Sequence, residues 1–168
     1  MNAYKITLPF TTDLEKKFKI GDKLLLSGKI FTARDMAHMK LMENINEGRP
    51  LPFDVKSFPI YYCGPTPAKE GYPIGSCGPT TSKRMDQYVK QLLIQGSRCM
   101  IGKGERSLEV TNLIKEYKAL YLVAIGGAGA LYAKTVTNCK CIAYEELGAE
   151  AVYEMDVLNF PVFVFISD

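Results

Sequence analysis

The residue types best suited to chemistry crowd into Gly78-Pro79-Thr80-Thr81-Ser82-Lys83-Arg84-Met85-Asp86-Gln87-Tyr88-Val89, a stretch that sets hydroxyls and a guanidinium at the start of a helix. Pro79 ends whatever precedes it. Thr80 or Thr81 is then a candidate N-cap, because Met85, Tyr88, Val89, Leu92 and Leu93 recur behind them at helical spacing. A helix start carries unpaired N–H groups and roughly half a positive charge, so a carboxylate or phosphate is favoured there. Arg84, about one turn on, can reach the same side. The plain alternative is a well-capped amphipathic helix with a surface arginine.

Three further places carry polar chemistry at predicted element ends. Arg34 and His38 are four residues apart and would share a helix face where a buried strand delivers the chain, although the pair would equally suit a solvated face. Lys103 stands between Gly102 and Gly104 at a strand-to-helix junction. A phosphate loop would need Gly, four residues and then Gly-Lys-Ser/Thr; Gly96 is one residue too far away and Gly104 replaces the hydroxyl. What survives is a lysine free to aim at a ligand, or a solvated lysine in a glycine turn. Gly126-Gly127-Ala128-Gly129-Ala130-Leu131 follows an apolar run, but Tyr132 takes the place of the third glycine of a dinucleotide fingerprint.

The elements that must position these residues read as follows. Tyr4 to Pro9 alternates like a strand, Thr11 to Phe18 is a polar turn or short helix, and Asp22 to Phe31 is a stronger strand. Thr32, with Asp35 three residues on, predicts a cap for a helix over Ala33 to Asn46. Phe58 to Tyr62 returns to strand character. The glycine- and proline-rich loop from Gly64 to Gly78 is long for a compact domain unless it lines a site. After the helix that stops at Gly96 come a strand from Arg98 to Ile101, a helix from about Ser107, a strand from Ala119 to Ile125, a strand around Cys139-Lys140-Cys141, and one or two closing strands from Tyr153 to Ile166, broken around Asn159-Phe160-Pro161. This is an α/β order in which Arg34, Thr80, Thr81, Arg84, Lys103 and the glycine turn all fall at strand ends or helix starts, the edge where ligands collect. Three cations and two hydroxyls suit a small dianion.

Composition narrows the classes. The 168 residues are 47% hydrophobic and 23% charged, enough for a real core in one globular domain. A net charge of +3 without a basic tract gives no reason to expect nucleic acid. No apolar run reaches membrane length and no leader pattern opens the sequence, so a cytoplasmic protein is expected. Five cysteines without Cys-x-x-Cys make neither a disulfide framework nor a zinc site, and a single histidine excludes a His-rich metal centre. Cys63 and Cys77, flanking the long loop, read as small buried residues before a metal or redox pair.

Taken in order, Ala33-Arg34-Asp35-Met36-Ala37-His38, Tyr61-Tyr62-Cys63-Gly64-Pro65, Gly78-Pro79-Thr80-Thr81 with Arg84-Met85-Asp86 and Tyr88-Val89, Gly102-Lys103-Gly104, Ile125-Gly126-Gly127, Glu146-Leu147-Gly148 and Phe160-Pro161 resemble the C-terminal domain, or separate β subunit, of iron–sulfur-dependent class I fumarases and tartrate dehydratases. The resemblance covers nearly the whole chain. It implies a swivelling β/β/α three-layer domain with mixed sheets over residues 1–168, and reversible hydration of fumarate to (S)-malate at a site shared with an α part that carries a 4Fe–4S cluster. No segment here resembles that cluster-binding part, so the resemblance implies a partner α subunit in a hetero-oligomer of α2β2 type, with no cofactor or metal held by this chain. Carried over by position, Arg34, Arg84 and Lys103 clamp the dicarboxylate, Thr80 and Thr81 are the catalytic pair with Thr80 moving the proton, and Asp35, His38 and Asp86 support Arg34 and the helix start. A threonine hydroxyl is a poor base, so it would need a cationic pocket and a carboxylate relay from the partner. Two rival readings are L-tartrate dehydration and a non-catalytic nucleotide-binding module built on Gly102 to Gly104 and Gly126 to Gly129.

Overall fold

A computed structural model describes residues 3–11 and 17–167. Most of the polar turn or short helix expected over Thr11 to Phe18 therefore lies outside the described residues. Seven strands form one mixed sheet: β1 (Ala3–Thr7), β2 (Lys23–Thr32), β3 (Ile60–Tyr61), β4 (Cys99–Gly102), β5 (Leu120–Val123), β6 (Val136–Ala143) and β7 (Val152–Ile166). The helices are α1 (Asp35–Asn46), α2 (Asp86–Ile94), α3 (Leu108–Glu116) and α4 (Gly129–Ala133), with 3-10 turns at Ser82–Met85 and Glu145–Glu150.

Neighbouring strands run in the order β1-β2-β3-β4-β5-β7-β6, and β2 also pairs with β7. That extra pairing closes β2, β3, β4, β5 and β7 on themselves. One edge of β2 carries β1 along Lys23 to Ser27 and β3 at Phe31 and Thr32, both parallel, while its other edge runs antiparallel to β7 from Lys23↔Phe163 to Phe31↔Glu154. Side chains of period two then face alternate ways. Tyr61, Ile101 and Leu122 join Leu24, Leu26, Phe160 and Val162 in one buried cluster. Their chain neighbours Ile60, Met100 and Tyr121 join a second, beneath Ala37 and Leu41 of α1, Val89 and Leu92 of α2, and Val110 and Ile114 of α3. Gly28 marks where β2 bends: it sits at φ +127° beside a register shift, and a Cβ there would lie 2.8 Å from the Leu8 Cβ.

Three expectations change. Thr32 does not cap α1; it is buried, its hydroxyl accepts from the Tyr153 N–H at 3.1 Å, and Arg34 takes the flanking position in extended backbone with no side-chain cap bond. A partner in β7, 121 residues away, is invisible to a capping argument made over four residues. The helix behind the threonines begins later than expected, because the 3-10 turn Ser82–Met85 precedes α2 at Asp86. Finally, β7 is one strand through Pro161, and the break expected around Asn159 is reduced to a bulge, with one extra β7 residue between Val157 and Phe160 and Asn159 at φ +54°. Pro161 faces Leu25 of β2, and its carbonyl accepts from the Tyr132 hydroxyl at 2.7 Å on the opposite edge, where β6 has ended and β5 has not begun. N–H and C=O of one residue leave a strand on the same side, so the missing donor of Pro161 falls where no strand calls for it.

Because β2, β3, β4 and β5 are mutually parallel, their carboxyl ends line one edge. Ala33, Tyr62, Lys103 and Ala124 leave the sheet there.

Candidate functional site

The cationic groups meet at that edge through a chain of contacts. Thr81 pairs in parallel with Lys103 as a single bridge, extending the ladder one residue past β4. The Ser82 N–H donates to the Lys103 carbonyl at 2.9 Å, and the Thr80 N–H donates to the Tyr62 carbonyl at 2.7 Å. The threonine segment is thus held in extended form by two strand ends. Neither threonine side chain is spent on capping: Thr81 precedes the 3-10 turn with no side-chain cap bond, and it is exposed. That turn carries Arg84 back over the corner, where its Nε donates to Asp35 Oδ1 at 3.1 Å and its Nη2 donates to Asp35 Oδ2. Asp35 adjoins Arg34, whose Nε is 3.9 Å from Asp35 Oδ2 and has no hydrogen-bond partner.

Glycines make room for two of these cations. A Cβ on Gly64 would lie 2.8 Å from Arg34 Cδ and 3.3 Å from its Nη1, and a Cβ on Gly126 would lie 2.8 Å from Lys103 Cδ. Arg34 therefore lies over the end of β3 and Lys103 against the turn after β5. The Lys103–Thr81 bridge, the turn that carries Arg84 from Thr81, and the ion pairs of Asp35 with Arg84 and Arg34 bring these residues to one corner, with Thr80 on the Thr81 side.

The electrostatics follow from the pairing. Burial raises the Asp35 pKa, but the hydrogen bonds and charge of Arg84, with Arg34 adding, outweigh it and leave the carboxyl below its ordinary range. It is a poor base as well as a counter-ion. Arg84 keeps capacity to spare: Asp35 uses one face of the guanidinium fork, and the Nη1 side still offers donors. Glu150 Oε1 accepts from the Met36 N–H at 3.2 Å at the start of α1 and lies close enough to Arg84 to help keep it charged.

His38 is buried rather than on a solvated face, stacked on Tyr88 and edge-on to Tyr62. Its Nδ1 is 2.8 Å from the Arg34 carbonyl; a carbonyl only accepts, so Nδ1 carries the proton and Nε2 is left buried without a partner. Burial pushes its pKa down to about 4, with the Arg34 carbonyl opposing and the Arg106 charge assisting. This neutral imidazole steadies the main chain of Arg34. Asp86 does something different from supporting Arg34: its Oδ1 accepts from Arg106 Nε at 2.6 Å, and its Oδ2 accepts from the Ser107 N–H at 2.8 Å. It anchors the start of α3, where Ser107 caps the Val110 N–H as the sequence led one to expect.

Sequence reasoning gave no role to Arg106, Ser82, Tyr121 or Tyr132. Arg106 is buried between the Tyr62 and Tyr121 rings, 5.1 and 4.8 Å from their centroids; burial opposes its charge, yet Tyr62 and Asp86 hold it on. Nothing local in Gly104-Glu105-Arg106-Ser107 predicts an interior cation. Tyr132, which spoiled the dinucleotide pattern, is itself structural: its hydroxyl accepts from the Ile125 N–H at 2.9 Å and donates to Pro161. The glycine turn it anchors is packed on the long loop, since the Cys77 N–H donates to the Gly129 carbonyl at 3.2 Å and a Cβ on Gly129 would lie 2.9 Å from Gly78 N. A cleft of about 720 Å³ opens between that loop and α4, and none of Arg34, Thr80, Thr81, Arg84 or Lys103 lines it.

Thiol chemistry is absent from the patch. Burial raises the pKa of Cys63 well above its ordinary value and that of Cys77 to about 12, so both are held as neutral thiols. Among the described residues, no three His, Cys, Asp or Glu side chains gather as a metal-holding group, and no helix is long and apolar enough to cross a membrane. A 4Fe–4S cluster needs several thiolates together, and the described residues hold no such group.

Fold and patch together define an α/β protein with cations and threonine hydroxyls gathered at the carboxyl edge of its parallel strands. Residues 2–168 match the family model described as Fumarase C-terminus, and the chain belongs to that family. It is 44% identical over 154 residues to the aerobic class I fumarate hydratase of Escherichia coli strain K12, covering 90% of this chain and 28% of that protein. Identity to fumarate hydratase 2 of Leishmania major is 42%, covering 90% of this chain and 27% of that protein. A Methanocaldococcus jannaschii protein, provisionally assigned as L(+)-tartrate dehydratase subunit beta, is 37% identical over 158 residues, covering 91% of this chain and 81% of its own length. The chain thus spans little more than a quarter of the fumarate hydratases it matches.

Proposed function

We propose that this chain is the β subunit of an iron–sulfur-dependent hydro-lyase that reversibly hydrates fumarate to (S)-malate, assembled with a cluster-bearing α subunit as an α2β2 oligomer in the cytoplasm. The observation that carries the reading is the continuous run Lys103–Thr81–Arg84–Asp35–Arg34, in a chain of the Fumarase C-terminus family. Arg34, Lys103 and the open side of Arg84 together hold the two carboxylates of the diacid. In the dehydration direction Thr80 passes its hydroxyl proton to the relay carboxylate and takes the C3 proton, the C3–H pair forms the double bond as the C2–O bond breaks, and the departing hydroxide takes the relay's proton to become water; hydration reverses each transfer. Surrounding cations lower the cost of charge on its oxygen, and because Asp35 is committed to Arg84, the carboxylate that relays the proton comes from the α subunit. The cluster is likewise the partner's. In this reading all 168 residues form one swivelling β/β/α unit that closes over the partner's site.

Dehydration of L-tartrate to oxaloacetate is the second reading, favoured by the match to the tartrate dehydratase subunit beta protein over most of that protein's length. The packing of Gly129 against Gly78 favours both over a nucleotide-binding module. Anaerobic co-expression with the α subunit, followed by assays on fumarate, malate and tartrate, tests the proposal. Hydro-lyase activity present only in the cluster-loaded complex is the expected result; inactivity of that complex on all three diacids, or NAD or ATP binding by the chain in calorimetry, refutes it.

A further inference from the structure

We propose that Ser82 is a positioning residue: its buried hydroxyl is the middle of a directed hydrogen-bond chain that sets Lys103 against the threonine pair, and Gly102 lacks a side chain to leave room for it. Ser82 is fully buried. The Lys103 N–H donates to Ser82 Oγ at 2.9 Å, Ser82 Oγ and Tyr121 Oη are 2.7 Å apart, and Tyr121 Oη is 2.7 Å from the Gly104 carbonyl. Only one arrangement of protons satisfies all four groups. An amide can only donate and a carbonyl only accept, so Ser82 accepts from Lys103 and donates to Tyr121, which donates to Gly104. The chain begins and ends on the two residues that shape the Lys103 turn.

A Cβ on Gly102 would fall on Ser82 Oγ and lie 2.8 Å from Tyr62 Cδ2. The main-chain bond from Ser82 N to the Lys103 carbonyl closes the clip from the other side. Removing the Ser82 hydroxyl leaves the part-buried Lys103 N–H without its acceptor, so the turn shifts to find another. That shift moves the lysine root relative to Thr80 and Thr81 without touching a group that meets substrate.

This inference rests on the reading of Lys103 as a carboxylate-binding group, and the test separates the two. In the assembled complex, S82A and G102A are expected to lower kcat/KM for the diacid by about 10–100-fold, chiefly through KM, as misplacement of a binding group does. In a K103A background, S82A should lower it less than two-fold further while its fall in Tm persists, because the function lost by misplacing Lys103 is already gone. A loss of equal size in both backgrounds overturns the positioning role, as does an S82A complex with wild-type kcat/KM beside an impaired K103A complex. A K103A complex of wild-type activity overturns the reading of Lys103 itself. Y121F, which breaks the chain one bond farther out and leaves the Lys103 contact, supplies the same comparison should S82A not fold.

Discussion

Acidification from pH 7 to pH 5 should destabilise this chain mainly through one side chain, its only histidine. Buried His38 has a pKa of about 4 in the folded protein against an ordinary value of 6.5. Between those values the unfolded chain binds a proton that the folded chain refuses, so stability falls as the pH drops through 6.5 and levels off near 4. One pKa unit is worth about 1.4 kcal/mol, and the two titrations together give a loss of about 2 kcal/mol between pH 7 and pH 5. For a chain of this size that is a fall of about 4–8 °C in Tm. Asp35 cannot mimic the effect: its pKa lies below the ordinary 3.8, so its contribution is intact above that value and is lost only as the pH falls through its lower folded pKa. Urea unfolding at pH 7, 6 and 5, for wild type and H38Q, is the assay. H38Q is expected to be less stable at pH 7, from altered packing, and to show a much shallower pH slope. A wild-type slope near zero across this window, or the same slope in both proteins, would refute the buried neutral imidazole.

In the assembled complex, R34A should cost about 2 kcal/mol or more in kcat/KM through loss of a charge-assisted carboxylate contact, and R34K should not restore it. G64A should raise KM by a smaller factor, since its Cβ displaces Arg34 without removing the charge. T80A should leave KM near wild type and depress kcat; wild-type turnover would end its assignment as the proton-transfer group. R106M strips the half-buried Asp86 carboxylate of its ion-pair partner and should cost about 2–3 kcal/mol of stability in urea titration, much of it recovered in the double variant R106M/D86N.

Local signals in the sequence were reliable where the deciding interaction is itself local. Ser107 caps α3 because its acceptor and the Val110 N–H are three residues apart. The leucine- and isoleucine-rich run from Asp22 to Phe31 marks β2 as a strand, although Leu24 and Leu26 are buried and Leu25 between them is not, a distinction that residue type does not show. The residues of the patch were legible too, as cations and hydroxyls at strand ends. The capping role given to Thr32, the break expected at Asn159 to Pro161, and the helix start at the threonines failed for a common reason: each was settled by a partner far along the chain. Thr32 answers to Tyr153, Pro161 to Tyr132, and Thr81 to Lys103.

What the amino-acid order alone determined is therefore the inventory: which segments can bury a face, where the turns fall, and which cations and hydroxyls stand at strand ends. Only the closed sheet decided that Arg34, Arg84, Thr81 and Lys103 share one corner, that Asp35 is committed to Arg84, and that Arg106 and Ser82 work from the interior. Propensity and periodicity report on neighbours within a turn or two. Strand pairing, ring closure and buried hydrogen bonds join residues from about 20 to more than 100 positions apart, and the free energy that selects them exists only once the chain has brought those residues together.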